Sequence, residues 1–473
     1  MKKMVMFLFL TVQTCYVFGQ NSNNLVKEKL DSLLNVDYFK TCLVAVDAYD
    51  LTTDTPIYSA NERYLLTPAS NQKVLTTTAA LLFLGENYNF STSVYYTGKI
   101  KDSVCSGDIY FVGGMDPDFT SADLSFMVSK VKEMGINKIA GNVYGDVSAM
   151  DSSFWGPGWM WDDDPSSDFP YLTPLIINDA CVKIAYQPGE KGTPPIVEGI
   201  PKSSFYSIEN NAVTTSEKGK RFFATRDWLN RNNKFIIGGN LKETAEPDTD
   251  KINVCNSNAY FLILACEELN AQGIKVPITV KTGLRPIDAE HIYTFDRPFG
   301  QVIVNLNKTS DNLSAEMTFR AMALKYYGKP ALPENGGKIV DSLIYLSGKN
   351  PKNYCIVDGS GVSRYNLISA ELLNGVVKYI YKTNPDLFKI LYDSFPVGGV
   401  DGTLRSRMKN ETVFSNVHAK TGTLSGVSSL TGYMNTKNGH IISFSILTQN
   451  FVGSASKVRT YQDEICEILF NIN

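Results

Sequence analysis

A serine and a lysine lie three positions apart in the stretch "LTPASNQKVLTTTAALLFLG", where they are Ser70 and Lys73. On a helix, this spacing puts both side chains on the same face one turn apart, close enough to exchange a proton. The pair could therefore act as a nucleophile and its base. Pro68 suits a helix start, and the apolar run after Lys73 predicts a buried helix that ends at Gly85. The positive end of that helix's dipole would lie near Ser70.

The Ser-x-x-Lys spacing alone is a weak signal, and an ordinary polar turn is the alternative interpretation. The same spacing recurs at Ser129 and Lys132 and at Ser454 and Lys457. About one or two chance matches are expected in a chain of this length. The two later copies lie in charged segments that are typical of solvated helix starts. Only the first copy precedes a long apolar helix, which favours it as the functional pair.

A lysine can serve as the base only when its amine is neutral. Moving the pKa of Lys73 from about 10.4 toward 7 corresponds to roughly 4 to 5 kcal/mol, which requires burial and a second positive charge nearby. Histidine is a poor alternative, because His291, His418 and His440 are scattered and the chain has no G-x-S-x-G motif. The lysine hypothesis therefore predicts further polar motifs downstream.

The first such motif is Ser310-Asp311-Asn312, in the stretch "NKTSDNLSAEM". The serine hydroxyl could relay protons, and the Asn312 amide could hold Lys73 or the substrate. This S-x-N pattern is common by chance, and Ser310 could instead only cap the helix that follows.

The second motif is Lys420-Thr421-Gly422-Thr423, in "VHAKTGTLSG", and its pattern predicts a strand edge. Lys420 could attract an anion, the hydroxyls of Thr421 and Thr423 could bind a carboxylate, and Gly422 would let a substrate approach closely. Another K-T-G sequence begins at Lys281, but it precedes the S-x-N motif and continues into Leu-Arg-Pro. We interpret Lys281 as part of a structural strand end.

The motifs S-x-x-K, S-x-N and K-T-G in this order resemble the active-site signature of penicillin-recognising serine enzymes. With 240 positions between Ser70 and Ser310, the chain is similar to the class C low-molecular-mass penicillin-binding proteins. These are D-alanyl-D-alanine carboxypeptidase/endopeptidases of the penicillin-binding protein 4 type. Further stretches resemble the family, namely "GDIYFVGGMDPDF", "GNVYGDVSAMD", "DGSGVSRYNLISA" and "VGGVDGTLRSRM". Met115 stands where a glycine is expected, and Asp311 where asparagine is common.

The resemblance implies a mechanism for the first two motifs. Ser70 would attack the carbonyl of the penultimate D-alanine, with Lys73 as its base. Ser310 would pass the proton to the leaving D-alanine, while Asn312 would orient Lys73 and the substrate amide.

The resemblance also implies roles for the third motif. Lys420 would supply the positive field that keeps the base neutral, and Thr421 and Thr423 would grip the terminal carboxylate beside Gly422. The oxyanion would lie between the backbone N–H groups of Ser70 and Thr423, where one donor is typically worth about 3 to 4 kcal/mol.

An acidic stretch, "GPGWMWDDDPSSDF", carries two further candidates for substrate binding. Trp159 and Asp162 resemble family positions that receive the amino-bearing end of a diaminopimelyl side chain. The alternative is that these acidic residues only form solvent-exposed turns. Arg405 and Arg407 are expected to brace the site rather than to catalyse.

Both ends of the chain contain patterns of paired strands and flanking helices. Two hairpins are predicted, in the segments "CLVAVDAYDLTTDTPIYSA" and "GVSSLTGYMNTKNGHIISFSILTQN". Residues 455–472 are predicted to form an amphipathic helix. We therefore predict an α+β, β-lactamase/transpeptidase-like domain, an antiparallel sheet flanked by helices, formed by residues 20–90 and 250–473. Short alternating runs broken by Gly, Asn and Pro predict a β-rich insertion at 91–249.

Composition narrows the remaining possibilities. The chain has 473 residues and a formal charge of −3. It therefore lacks the excess of positive charge that is typical of nucleic-acid-binding proteins, and nucleic acid is not an expected partner. Residues 1–19 resemble a secretory signal peptide, which predicts an exported, periplasmic protein. No later segment has about 18 uninterrupted apolar residues, so no stable membrane span is expected.

Seven cysteines would remain after removal of the signal peptide, which is an odd number, and their spacing does not resemble a metal site. We therefore expect no metal and no cofactor. A homo-oligomer is possible.

The expected partners are peptidoglycan stem peptides and β-lactams. A β-lactamase is the second hypothesis, because it shares the three motifs; yet "AELLN" at 370–374 falls one residue short of the familiar E-x-x-L-N. The third is a non-catalytic relative that only binds the cell wall. The intact motif residues argue against that third reading.

Overall fold

The computed structural model describes residues 24–217 and 219–472, so the predicted signal peptide lies outside the described residues. Among the helices of these residues, none has the length and apolar character to cross a bilayer. In chain order, these helices are α1 (24–34), α2 (Gln72–Phe83), α3 (Ser121–Glu133), α4 (Ser257–Ala271), α5 (Phe299–Lys308), α6 (Asn312–Tyr327), α7 (Pro333–Leu346), α8 (Ala370–Thr383), α9 (Pro385–Ser394) and α10 (Ser456–Phe470). Short 3-10 turns lie at Asp37–Thr41, Ala69–Asn71, Trp161–Asp163, Asn178–Ala180, Pro351–Asn353 and Gly402–Leu404.

The strands alternate with these helices along the chain. In chain order they are β1 (Leu43–Asp50), β2 (Thr55–Ala60), β3 (Asn89–Tyr96), β4 (Ile100–Lys101), β5 (Val104–Cys105), β6 (Ile109–Val112), β7 (Lys138–Ile139), β8 (Val143–Asp146), β9 (Cys181–Gln187), β10 (Ile196–Ile200), β11 (Ser207–Asn210), β12 (Val213–Thr215), β13 (Phe223–Arg226), β14 (Lys234–Gly238), β15 (Asn240–Lys242), β16 (Asp248–Asn253), β17 (Val280–Thr282), β18 (Glu290–Pro298), β19 (Val417–Leu424), β20 (Val427–Asn435) and β21 (Ile441–Gln449).

The first of two compact units contains residues 24–85, 303–311 and 337–472. Its sheet has the strand order β19-β20-β21-β1-β2, and every neighbouring pair is antiparallel. Strands β20 and β21 are buried along nearly their whole length, which requires cover on both faces.

Helices supply that cover. Met434 of β20 packs in one core cluster with Ile465 of α10. Its neighbour Tyr433 points to the other face, where its hydroxyl donates to the carbonyl of Val377 in α8 at 2.8 Å. The predicted α+β class, with an antiparallel sheet flanked by helices, is confirmed.

Helix α2 is the buried helix predicted from the apolar run. Its side chains from Gln72 to Leu81 are all buried, and Gly85, with φ +84°, follows its last turn. The helix does not begin at Pro68, because Ala69 has φ +47° and interrupts the helical backbone there. A separate 3-10 turn, Ala69–Asn71, therefore carries the serine in front of the helix.

The second compact unit comprises residues 86–302 and 312–336. Its largest sheet has the order β17-β8-β6-β3-β18, in which β8 runs parallel to β17 and β6 while the other pairs are antiparallel. Smaller sheets are formed by β10-β9-β16, β11-β14-β13, β12-β15 and β4-β5-β7. The prediction of a β-rich region in the middle of the chain is confirmed. Met115 adopts φ +61°, which explains why a glycine suits that position.

The compact units do not follow the predicted domain boundaries everywhere. Strand β18, expected in the catalytic domain, pairs with β3, and Phe261 of α4 belongs to the same buried core as Phe111 of β6. These long-range contacts place residues 250–302 in the second unit. The division into a catalytic domain and an insertion at 91–249 stays a prediction.

Candidate active site

Ser70 lies in the middle of the tight 3-10 turn Ala69–Asn71, at the amino end of the buried helix α2. The turn requires a left-handed backbone at Ala69, which is uncommon for a residue with a side chain. Gly361 packs directly against it, and a Cβ atom at that glycine would lie only 1.9 Å from the Ala69 carbonyl oxygen. The missing side chain of Gly361 therefore allows the turn that presents Ser70.

The Lys73 amine contacts the predicted nucleophile. Its Nζ donates to Ser70 Oγ at 3.0 Å and to the backbone carbonyl of Ser360 at 2.7 Å. The lysine side chain is fully buried. One helical turn between Ser70 and Lys73 thus produces the short contact that the spacing predicts.

The loop that supplies the Ser360 carbonyl is fixed by a buried carboxylate. Asp358 accepts hydrogen bonds from the backbone N–H of Gly361 at 2.8 Å and of Ser363 at 2.7 Å, and from the Asn366 amide at 2.6 Å. Sequence reasoning assigned no role to these residues, although "DGSGVSRYN" was recognisable as a family-like stretch. An aspartate followed by two glycines within three residues is the signal that could have found this loop.

Ser310 and Lys420 form a second serine–lysine pair. Lys420 Nζ donates to Ser310 Oγ at 2.7 Å and to the carbonyl of Thr421 at 2.9 Å. The carbonyl of Lys420 itself accepts from the Asn71 amide at 3.0 Å, and Asn71 is the residue after Ser70. Burial, together with the positive charge of Lys73, lowers the pKa of Lys420 well below its usual range. A positive charge on either amine therefore disfavours a positive charge on the other.

The K-T-G-T residues lie on β19, as predicted, and differ in their surroundings. The Thr421 hydroxyl donates to Thr403 Oγ1 at 2.7 Å, whereas Thr423 Oγ1 accepts from Arg459 Nη2 at 3.0 Å. A Cβ atom at Gly422 would lie 2.9 Å from the backbone nitrogen of Ser70. The glycine therefore allows close contact between this strand and the turn that carries Ser70.

The other predicted site residues belong to the second unit. Asn312 begins α6, and its amide donates to the Asp168 carbonyl at 2.7 Å. Trp159 is buried, with ring centroids 5.3 Å from Trp155 and 5.5 Å from Phe169. Asp162 is exposed and lines a cavity of about 540 Å³, which Trp159 does not line.

The three consecutive aspartates of the acidic loop have different roles. Asp164 forms a buried ion pair with Arg226 at 2.5 Å, and Asp163 accepts from the backbone N–H of Met160 at 2.8 Å. Among the described residues, Asp162 forms no hydrogen bond or ion pair, so its carboxylate is available.

The other copies of the S-x-x-K and K-T-G motifs have ordinary structural roles. Ser129 donates to the Phe126 carbonyl within α3, and Lys457 lies over the ring of Tyr38 at 4.6 Å. Lys281 lies in the short strand β17, as predicted. The described residues contain no group of three or more His, Cys, Asp or Glu side chains that could hold a metal ion.

A serine at the start of a buried helix, with a buried lysine one turn on and a second serine–lysine pair, is characteristic of penicillin-recognising serine hydrolases. The model of the D-Ala-D-Ala carboxypeptidase 3 (S13) family matches residues 26–472, so the chain belongs to this family. The resemblance found from the motifs is confirmed, as is the expected enzyme, a serine-type D-Ala-D-Ala carboxypeptidase.

Individual relatives are similar along most of their length. The D-alanyl-D-alanine carboxypeptidase DacB of Haemophilus influenzae is 27% identical over 435 residues, which are 87% of this chain and 90% of the relative. The D-alanyl-D-alanine carboxypeptidase of Actinomadura sp. (strain R39) is 27% identical over 449 residues, 91% of this chain and 82% of that protein. The structure is also similar to the crystal structure of penicillin binding protein 4 (dacB) from Haemophilus influenzae, with a TM-score of 0.82 and 26% sequence identity. The match covers 93% of this chain and 99% of the chain in that crystal structure.

Proposed function

We propose that this enzyme cleaves peptidoglycan stem peptides after the penultimate D-alanine, with Ser70 as the nucleophile. The observation that carries the proposal is the contact of 3.0 Å between Lys73 Nζ and Ser70 Oγ in a fully buried setting. The charges of the two buried amines repel each other, so we assign the pair a single proton and place it on Lys420, which leaves Lys73 neutral as the base.

In the acylation step, the neutral Lys73 amine takes the proton of Ser70 while Oγ attacks the carbonyl carbon of the penultimate D-alanine. The carbonyl oxygen becomes an oxyanion that the backbone N–H groups of Ser70 and Thr423 stabilise. One such donor is typically worth about 3 to 4 kcal/mol. The carbonyl of Ser360, at 2.7 Å from Lys73 Nζ, stabilises the ammonium that forms.

In the second half of acylation, the C–N bond breaks and the leaving D-alanine nitrogen takes a proton. Ser310 donates that proton and is recharged from Lys420, which it contacts at 2.7 Å. The family resemblance assigns to Asn312 the orientation of Lys73 and of the substrate amide. The Lys73 ammonium then returns its proton to the now neutral Lys420, so that Lys73 is again a neutral amine. Water attacks the Ser70 ester, Lys73 takes a proton of that water and passes it to the departing Ser70 Oγ, and the shortened peptide is released.

A β-lactam would acylate Ser70 by the same route, and we expect the adduct to last. In the rival β-lactamase reading, Glu371 and Asn374 would activate water for rapid hydrolysis. The Glu371 carboxylate instead pairs with Lys349 at 2.5 Å, and the Asn374 amide donates to Asp47 at 2.8 Å. These structural contacts favour a peptidase, and turnover of a penicilloyl adduct within seconds would favour the β-lactamase.

The acidic loop supports a preference for a stem peptide with an amino-bearing side chain, such as diaminopimelic acid. Asp162 offers an unengaged carboxylate, and Asp250 lines the same cavity of about 540 Å³. Within the same unit, the Asn312 amide donates to the carbonyl of Asp168, which follows the three aspartates in this loop. Trp159 would then support the loop from inside its aromatic cluster.

The cellular setting follows from the substrate. Peptidoglycan lies outside the cytoplasmic membrane, so the enzyme must be exported, and residues 1–19 are the proposed signal. Cleavage after Gly19 would leave a mature amino terminus at Gln20. Sequencing the amino terminus of the exported protein tests this.

The decisive experiment is incubation of the purified protein with a muropeptide that ends in D-Ala-D-Ala. We expect release of D-alanine by the wild type and none by Ser70→Ala. Equal results for both proteins, with no D-alanine released, would leave only a wall-binding function. Mass spectrometry of cross-linked muropeptides measures the endopeptidase activity in the same samples.

A further inference from the structure

The carboxy-terminal helix brings a cation to the K-T-G strand. Arg459, in the first turn of α10, donates from Nη2 to Thr423 Oγ1 at 3.0 Å. Both side chains are exposed, so a ligand in this region can reach them. One turn further along α10, Gln462 donates to Ser428 Oγ at 3.2 Å, and Ser428 is the residue opposite Thr423 in the β19–β20 pair. Helix and strand are therefore held in register at this point.

The charge of Arg459 is not neutralised by the protein. Asp463, one turn along the helix, is bound instead by Arg407, whose Nη2 and Nε donate to it at 2.5 and 3.1 Å. Among the described residues, Arg459 forms no ion pair, and its contact to Thr423 is its only side-chain hydrogen bond. Burial and the charge of Arg407 lower the pKa of Arg459, but a guanidinium keeps its proton in proteins. Four of its five N–H donors therefore remain for a ligand.

The two threonines of the motif are not equivalent. A threonine hydroxyl has one proton to donate, and Thr421 donates its proton to Thr403 at 2.7 Å. Thr423 accepts from Arg459 instead, so its own proton remains to be donated outward. A carboxylate accepts hydrogen bonds only, and Thr423 with Arg459 offers it a hydroxyl donor beside a cation.

We propose that Arg459 binds the free carboxylate at the end of the substrate, beside Thr423, to which the family resemblance already gives that role, and that Arg459 makes the enzyme select peptides with that carboxylate. This inference rests on the proposed function, because the group bound is the carboxylate of the leaving D-alanine. Arginine suits the task, since its planar fork can bind both carboxylate oxygens at once. Arg459 lies in the segment "SASKVRTYQDEICEIL", whose sequence predicts only a helix.

The test compares two substrates that differ only in that group. The values of kcat/KM are measured for a peptide ending in D-Ala-D-Ala and for the same peptide with a carboxy-terminal amide. We expect Arg459→Gln to lose about 10- to 100-fold on the acid and to change little on the amide, so that the preference for the acid collapses. Arg459→Lys should retain part of the preference for the acid, because lysine keeps the positive charge but lacks the planar guanidinium that can bind both carboxylate oxygens.

The matched control is Arg63→Gln, which removes an exposed arginine of the same compact unit that has no hydrogen bond or ion pair among the described residues. Its preference for the acid should equal that of the wild type. An unchanged acid-to-amide ratio in Arg459→Gln, or an equal loss on both substrates, would overturn the proposal. Melting temperatures of all variants separate such an equal loss from unfolding. A wild type that releases neither D-alanine from the acid nor D-alanine amide from the amide would overturn the proposed function itself.

Discussion

Gly422 is the position where a single methyl group should disable the site without removing any reactive atom. A Cβ atom there would lie 2.2 Å from Ser429 Oγ and 2.9 Å from both the Pro68 carbonyl oxygen and the Ser70 nitrogen. The serine hydroxyl can rotate away, although it then gives up its hydrogen bond of 2.7 Å to Pro68. The two backbone atoms cannot rotate, so strand and turn must separate.

The size of the effect follows from that separation. Ordinary contact for a Cβ atom begins at 3.4 Å, so the Gly422→Ala strand must move about 0.5 Å away from the Ser70 nitrogen. The Ser70 N–H is one of the two proposed oxyanion donors. Since a misplacement of 1 Å can reduce a rate about 10²-fold, and loss of one donor about 10²- to 10³-fold, we expect acylation to fall roughly 10²-fold. Overpacking should lower the free energy of unfolding by about 1 to 3 kcal/mol.

The assay is the second-order rate of labelling by a fluorescent penicillin, with thermal melting followed in parallel. The variant Gly422→Ala/Ser429→Ala removes the contact at 2.2 Å but not the two at 2.9 Å, so it should recover stability and not the labelling rate. Gly439→Ala is the matched control: its φ of +83° makes it strained, yet no atom lies within 4 Å of the added Cβ. It should lose stability only. A folded Gly422→Ala protein labelled at the wild-type rate would refute the argument.

Further predictions concern the lysine pair and one buried ion pair. Lys73→Arg should fold but lose penicillin labelling, because a guanidinium cannot become neutral near pH 7; labelling at the wild-type rate would contradict the proposed base. Since the charge of Lys73 lowers the pKa of Lys420, acylation should be lost as the pH falls and a second proton enters the pair. Lys420→Gln removes the repulsion, so the pH profile of its residual activity should show this acid limb at higher pH; an unmoved limb would argue against coupling. Burial raises the pKa of Asp116 to about 6 although Arg297 lowers it, so Arg297→Met should reduce the free energy of unfolding by about 3 to 5 kcal/mol at pH 8. The loss should shrink at pH 5, where the folded protein binds a proton on Asp116, and denaturation of Asp116→Asn/Arg297→Met should show no such pH dependence.

Local sequence was sufficient to predict those features of the site that depend on residues close together in the chain. The interval from Ser70 to Lys73 corresponds to one helical turn, so the spacing alone predicts the contact between their side chains, although Ser70 lies in a 3-10 turn in front of α2. The hairpin of β20 and β21, and the K-T-G-T strand beside it, were likewise predicted from local sequence. The three motifs, in order, were enough to indicate the family and its enzyme class.

Tertiary structure decided the features that join distant parts of the chain. The Ser360 carbonyl reaches Lys73 across 287 positions, and Arg459 reaches Thr423 from a helix whose sequence shows only an amphipathic pattern. The strand order β19-β20-β21-β1-β2 likewise places the first strands of the chain beside some of the last. Helix and strand periods specify which face of an element is buried, but not which other element covers it. That choice depends on how the whole core packs, and it determined which groups surround the serine.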